Sequence, residues 1–345
     1  MKQVRQLPQV LRAEAAMAHA IDCARLGLGQ TYPNPIVGAV ITSATGEVLS
    51  QGIHQGADHA EVIALNAAKE LPAGSIIYIT LEPCNHHGKT PPCVDAIIKS
   101  GIKKVVYAVS DPNPAAAGGA ERLREAGIEV QSGIGEIQAR LENRAWLTKI
   151  EKGRPRITWK IAATMDGKVA ASDGSSKWIT GELARADVAR MRSQVDGIVT
   201  STTTVIADDP LMTSKGFGKN PLRIVMGTSE LSSKMQIFDD AAETVLIKSR
   251  NLKDLISLAT ERGLNELLIE SGPNFGTALL REDLIDEIVL FQAPTLLGSG
   301  TPSIGDLGIT NISGRLDFEI SDVEMIGSDL KITLIKSANS TEGGR

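Results

Sequence analysis

A chain of 345 residues is longer than one ordinary domain needs, and 42% hydrophobic with 22% charged residues is enough to bury a sizeable core, which excludes a single small module and wholesale disorder. A net charge of −5 and an aromatic content of 3% argue against a nucleic-acid partner, which needs a basic footprint or aromatic stacking platforms. Three cysteines (Cys23, Cys84, Cys93) are too few for a disulfide-stapled secreted scaffold. No run approaches the ~18 uncharged apolar residues of a membrane span, and no apolar leader opens the chain. The expectation is a cytoplasmic protein that works on small molecules.

Residues 1–150 hold 14 basic and 14 acidic side chains, so the whole −5 falls on residues 151–345. Between them KIEKGRPR, Lys149 to Arg156, is polar and punctuated by Gly153 and Pro155, and reads as the connection between two domains, 1–150 and 151–345. In chain order, Met17, Ile21, Ala24 and Leu28 at helical spacing predict a helix over 15–28, then the turn TYPNP and a strand in IVGAVIT. A helix HAEVIALNAAKEL, a β-rich SIIYITLEP, a helix from near Cys93, a strand KKVVYAVS, a turn DPNP, a helix AERLREAG and a short strand IEVQ follow. The second half repeats that alternation in ITWKIAA, ARADVARMRS, GIVTS, LRIVMG, TVLIK, ELLIES, FGTALLRE, EIVLFQAP and LKITLIK. Alternating elements predict layered α/β sheets, and the lack of an internal period makes the halves two different domains.

The sharpest chemical signal is His59-Ala60-Glu61 with Pro83-Cys84 and Cys93 downstream. A catalytic zinc takes three protein ligands and keeps one position open, and one His with two Cys supplies that count. Glu61, two residues from His59 at a helix start, is placed to shuttle protons without binding metal, as in the zinc nucleobase deaminases. Cys93 follows Pro91-Pro92 at a helix entry, where the dipole favours a thiolate. A structural zinc is the other reading, with His86 or His87 as fourth ligand. Cys23, alone on the first helix, reads as a small buried apolar residue.

ITLEPCNHHGKTPPCVDAII resembles the deaminase motif of the bifunctional riboflavin-biosynthesis deaminase/reductase family, whose long spacer between cysteines matches Asn85 to Pro92 here. ARLGLGQTYPNPIVGAV and DPNPAAAGG are similar to other deaminase segments of that family, and the likeness spans nearly the whole chain. It implies a cytidine-deaminase-like three-layer domain, zinc ligands His59, Cys84 and Cys93, a proton shuttle in Glu61, and substrate contacts from Asn34, His54, His86 and Lys89. From the residues alone, Lys89 reads equally as an exposed loop lysine. The chain departs from the family in having only Gln55 to Asp58 between His54 and His59.

The second half has no GxGxxG between a strand and a helix. Its available phosphate device is the strand LLIES, the turn Gly272-Pro273 and the amide-rich start of NFGTALLRE. RPRITWKIAATMDGKVA, SSKWITGELARADVARMR, TVIADDP and IESGPNFGTALL resemble the reductase segments of the same family, whose domain is dihydrofolate-reductase-like. The resemblance implies NADPH held by Ala162, Trp178, Thr204, Asp208 and the stretch Gly272, Pro273, Asn274, Phe275, Gly276, Thr277 and Ala278. It also implies that Ser176, Arg192, Met212, Lys215 and Glu270 face a phosphoribosylaminopyrimidine. Arg192 would clamp phosphate through its guanidinium fork, or else lie on a solvated helix face. Asp208 is the candidate for a catalytic or positioning role, or else a turn cap in Ala-Asp-Asp-Pro. Ser201 and Thr203 stand where many relatives have glycine, and Lys215 where arginine is common.

The expected activity is deamination of 2,5-diamino-6-(5-phosphoribosylamino)pyrimidin-4(3H)-one on zinc, then NADPH reduction of the ribosyl to a ribityl side chain. The alternative is a zinc deaminase of another base or nucleoside with a non-catalytic second domain. Oligomeric state is not readable, although a second-half helix such as the one from Arg185 offers a homo-oligomer contact.

Overall fold

A computed structural model describes residues 9–88 and 90–336. The chain divides into two compact units between Gly153 and Arg154.

The first unit runs α1 (Gln9–Arg25), β1 (Gly38–Thr42), β2 (Val48–Ile53), α2 (Ala60–Ala67), β3 (Ile76–Leu81), α3 (Cys93–Ser100), β4 (Lys104–Val109), α4 (Gly119–Glu125), β5 (Glu129–Ser132), α5 (Glu136–Glu142) and α6 (Arg144–Lys152). Its sheet has the order β2-β1-β3-β4-β5, antiparallel across β2-β1-β3 and parallel from β3 to β5. β3 and β4 are buried along almost their whole length, which is why they read as unbroken apolar runs rather than as alternation. Two glycines set the layers. A Cβ on Gly38 would strike the α1 backbone at Ala20, and one on Gly52 the α2 backbone at Ala60, each at 2.0 Å. Gly38 pairs with Ile53 and Ala39 with Gly52, so the two glycines face opposite sides of the sheet, and α1 and α2 cover opposite faces.

The second unit runs β6 (Arg156–Thr164), β7 (Lys168–Ala171), α7 (Glu182–Arg192), β8 (Gly197–Ser201), α8 (Thr202–Asp208), β9 (Leu222–Met226), β10 (Thr244–Ile247), α9 (Leu252–Glu261), β11 (Glu266–Ile269), α10 (Pro273–Arg281), β12 (Glu287–Ala293), β13 (Gly300–Pro302), β14 (Phe318–Ile326) and β15 (Asp329–Lys336). Eight strands form one sheet in the order β10-β9-β8-β11-β6-β12-β15-β14. It is parallel from β10 to β12 and antiparallel at β15 and β14. β7 pairs with β13 in a separate ribbon.

Four of the features that differ from the sequence reading have a local physical cause. The first helix ends at Arg25, because the Gly27 to Gly29 stretch breaks it and Gly29 is left-handed at φ 69°. KIEKGRPR is not wholly a connection: α6 continues to Lys152, anchored by buried Trp146 and Leu147, and left-handed Gly153 caps it. TTTVIAD forms α8 despite its β-branched residues, because the Ser201 hydroxyl accepts the Thr204 amide at 3.2 Å as an N-cap. FEISDVEMI is a strand at the sheet edge, where mixed apolar and acidic positions hide its periodicity.

Candidate active sites

In the first unit, α2 and α3 bring their starts to the end of β3. His59 is the N-cap of α2, Cys93 is the first residue of α3, and Cys84 lies three residues beyond β3. Their ligand atoms all lie within 4.8 Å of one another. His59 Nδ1 is 3.1 Å from Cys93 Sγ and 3.5 Å from Cys84 Sγ. A tetrahedral zinc with ordinary Zn–N and Zn–S lengths has N···S edges of about 3.6 Å, so this donor set fits the ion. The Cys93 amide donates to Cys84 Sγ at 3.4 Å, and hydrogen bonds from Cys93 and His59 pull the Cys84 thiol down to about 4. The Cys84 bond lifts the His59 imidazole above its ordinary value against the effect of burial.

Glu61, on the first turn of α2, is buried beside this triangle, and burial pushes its carboxyl up to about 7. A carboxyl poised there can accept and return a proton near neutral pH. The short Gln55–Asp58 turn closes on itself through reciprocal backbone bonds of 3.1 and 2.9 Å. It therefore holds His54 against the site, with the His54 and His59 rings 5.2 Å apart. Asn34 lies 3.3 Å from His54 Nε2, which places both expected contacts together. His86 is half-buried, and its buried Nδ1 has no hydrogen-bond partner among the described residues. Lys89 lies outside the described residues.

In the second unit a charged cluster forms where Glu270 follows β11. Arg192, the last residue of α7, holds the Glu270 carboxylate by a two-pronged bond of 2.6 and 2.9 Å. Its third nitrogen donates to the Thr213 carbonyl at 3.1 Å. Arg192, expected as a phosphate clamp, thus meets another expected substrate contact, Glu270, with its fork on a buried carboxylate. Burial pushes Glu270 up, but Arg192, Lys160 and Lys215 together outweigh it and hold the carboxyl below its usual range. Lys160, on β6, faces Glu270, Arg192 and Asp208, and burial lowers its ammonium pKa. Its neighbour Trp159 points to the opposite face of the sheet, against α10.

The starts of α8 and α10 are joined by the Thr204 and Ser271 hydroxyls at 3.4 Å. Among the described residues nothing lies within 4 Å of a Cβ built on Gly272, so a dinucleotide phosphate can approach the backbone at the α10 N-terminus. This open approach beside helix amides fits NADPH.

Two family models match the chain: the cytidine and deoxycytidylate deaminase zinc-binding region over residues 11–109, and the RibD C-terminal domain over residues 155–332. The riboflavin biosynthesis protein RibD of Mycobacterium tuberculosis is 41% identical over 335 residues, 95% of this chain and 98% of that protein. That of Escherichia coli is 35% identical, covering 94% and 100%. A solved diaminohydroxyphosphoribosylaminopyrimidine deaminase/5-amino-6-(5-phosphoribosylamino)uracil reductase from Thermotoga maritima superposes with a TM-score of 0.89 at 32% identity, over 96% of this chain and all of that one. Acinetobacter baumannii RibD superposes at 0.88 and 34%, over 95% and 100%. The chain belongs to the RibD family.

Against the RibD expectation, the cofactor and substrate positions divide. Ala162, Ser176 and Thr204 are half-buried, Trp178 is exposed with the Arg185 guanidinium 4.4 Å above its ring, and Lys215 is exposed. Asp208 ends α8 and lies in the field of Lys160. Within Gly272 to Ala278, Gly272 and Asn274 are exposed, while Pro273, Phe275 and Ala278 are half-buried. Gly276 and Thr277 point inward, Gly276 onto Trp159 and the Thr277 hydroxyl onto the Gly305 amide at 2.8 Å. The Met212 side chain is buried in an apolar cluster with Ile198, Val205 and Val225, so a substrate contact there would fall to its backbone. Lys160 is the residue missed from sequence, although a lone lysine inside the apolar run ITWKIAA marked it.

Proposed function

We propose that the first unit deaminates the ring of 2,5-diamino-6-(5-phosphoribosylamino)pyrimidin-4(3H)-one and that the second reduces the ribosyl chain of the product to ribityl with NADPH. The observation that carries this reading is the His59–Cys84–Cys93 triangle with the Glu61 carboxyl buried beside it. Zinc bound there supplies Lewis-acid activation of water. Glu61 accepts the water proton on its carboxylate oxygen and delivers it to the departing ammonia. Asn34, His54, His86 and Lys89 are the proposed contacts that orient the ring.

In the second unit NADPH, held by Ala162, Trp178, Thr204, Asp208 and the Gly272–Ala278 turn, supplies a hydride. Lys160, Asp208 and Glu270 form the charged floor beneath the ribosyl chain, and Ser176 and Lys215 hold its polar groups. The reading places the protein in the cytoplasm with small-molecule partners rather than nucleic acid or lipid; none of the helices among the described residues is long and apolar enough to cross a membrane. A homo-oligomer is part of it, with exposed Leu183 on α7 as a contact.

A coupled assay tests the proposal. Wild-type protein should release ammonia without NADPH and oxidise NADPH only after deamination. Glu61→Gln should abolish ammonia release yet still reduce substrate supplied already deaminated. Ammonia release by Glu61→Gln at the wild-type rate would overturn the mechanism, and NADPH oxidation absent from every variant would leave only the deaminase.

A further inference from the structure

Eight residues, Asn85 to Pro92, separate the two cysteines. A spacer of that length does not by itself fix one sulfur against the other, so the register of the pair must come from elsewhere in the unit. The segment carrying Cys84 is seated on the start of α4. The Glu82 carboxylate accepts the Ala120 amide at 2.9 Å, and the Asn85 amide donates to the Ala116 carbonyl at 3.0 Å. A Cβ on Gly119 would lie 1.8 Å from the Pro83 carbonyl, so the helix start and the ligand segment touch backbone to backbone. From the next part of α4, Arg122 donates through one terminal nitrogen to Asn85 Oδ1 at 3.0 Å and through the other to Asp95 Oδ1 at 2.5 Å. Asn85 is the residue after Cys84, and Asp95 lies two beyond Cys93 on the first turn of α3.

We propose that Arg122 is a positioning residue for the zinc site: its guanidinium ties the side chain of the residue after one cysteine to the helix that begins with the other. The proposal rests on reading the triangle as a zinc site. A planar fork suits this task, because its two ends meet two partners at fixed separation where a lysine ammonium has one centre. The side chains of Arg122 and Asp95 are 41% and 40% exposed, so the ion pair alone adds little to global stability. Loss of Arg122 should therefore be read at the metal and not in the melting temperature. Outer partners that orient metal ligands change metal affinity by about 10-fold or more when removed.

The test uses zinc-loaded full-length protein and follows zinc transfer to a chromophoric chelator at neutral pH. The comparison is wild type, Arg122→Met, Arg122→Lys and Arg140→Met, the last breaking a similarly exposed pair with Glu151 in the same unit. Arg122→Met should release zinc about 10-fold faster, Arg122→Lys should fall between it and wild type, and Arg140→Met should match wild type. The melting temperatures of Arg122→Met and Arg140→Met should shift alike. Zinc release from Arg122→Met at the wild-type rate overturns the proposal. If Arg122→Met does not fold, Asn85→Ala and Asp95→Asn each remove one leg, and wild-type release from both overturns it equally. Failure of the wild type to retain zinc would instead overturn the reading of the site itself.

Discussion

Arg192 and Glu270 meet as a two-pronged ion pair at 2.6 and 2.9 Å, their side chains only 15% and 9% exposed. A buried pair of this kind is costly to break from one side, because the remaining charge has no solvent to return to. Glu270→Gln should destabilise the protein by about 3 kcal/mol at neutral pH in urea unfolding. The folded pKa of Glu270 is held below its unfolded value, so this stabilisation is complete above about pH 4.3 and is lost as the pH falls through the folded pKa. The gap between wild type and Glu270→Gln should accordingly close on acidification. A gap that stays constant down to pH 2.5 would contradict the pairing.

Lys160 makes the opposite prediction for stability. Burial pulls its folded pKa below the unfolded value, so protonation favours the unfolded chain, and the penalty is present in full at pH below the folded pKa. Lys160→Met should be more stable than wild type at neutral pH, with the difference vanishing as pH rises towards about 10.4. The same variant should lower the reductase kcat/KM by roughly 100-fold, about 2.7 kcal/mol of lost transition-state interaction, while ammonia release is unchanged. Greater stability together with lost reduction identifies a charge kept for function; a variant both less stable and inactive would indicate a structural lysine.

Lys215 is exposed with a left-handed backbone at φ 50°. Its charge, and not its packing, is what the substrate should feel. Lys215→Ala should raise the reductase KM about 10-fold, roughly 1.4 kcal/mol, with kcat and the deaminase unchanged. Lys215→Gly should give the same KM and equal or better stability, since glycine adopts this φ freely. An unchanged KM in both refutes the contact.

Which of these features the sequence discloses follows from what each depends on. The zinc triangle is readable because metal chemistry restricts residue type, and His59, Cys84 and Cys93 are placed by helix starts that Pro91-Pro92 and the HAE element already mark. The strands are readable where both faces are buried, as in SIIYITL, and unreadable at the edge strand FEISDVEMI, whose single partner imposes no clean alternation. The Arg192 pairing is not legible because a guanidinium suits a phosphate and a carboxylate equally, and only the fold brings Glu270, 78 residues away, to meet it. The burial of Met212 is hidden for a related reason: its backbone is left-handed, φ 50°, and its side chain lies in the core, which no local pattern announces.

The Gly272 to Ala278 stretch shows how a packing demand can sit inside a ligand motif. A Cβ on Gly276 would lie 2.0 Å from Trp159 Cζ2 and 2.1 Å from Cε2, well inside contact distance with a ring that cannot move aside in a closed core. Gly276→Ala should therefore push α10 away from the sheet, cost about 2 to 3 kcal/mol, and weaken NADPH binding because the helix start carrying Gly272 moves with it. Trp159→Leu removes the obstacle at the price of a cavity. The double variant should be more stable than the sum of the two single changes predicts, by roughly 1 kcal/mol or more. Additive effects in urea unfolding would show that Gly276 is not held by Trp159, and an unchanged NADPH Kd in Gly276→Ala would detach the cofactor from the α10 start.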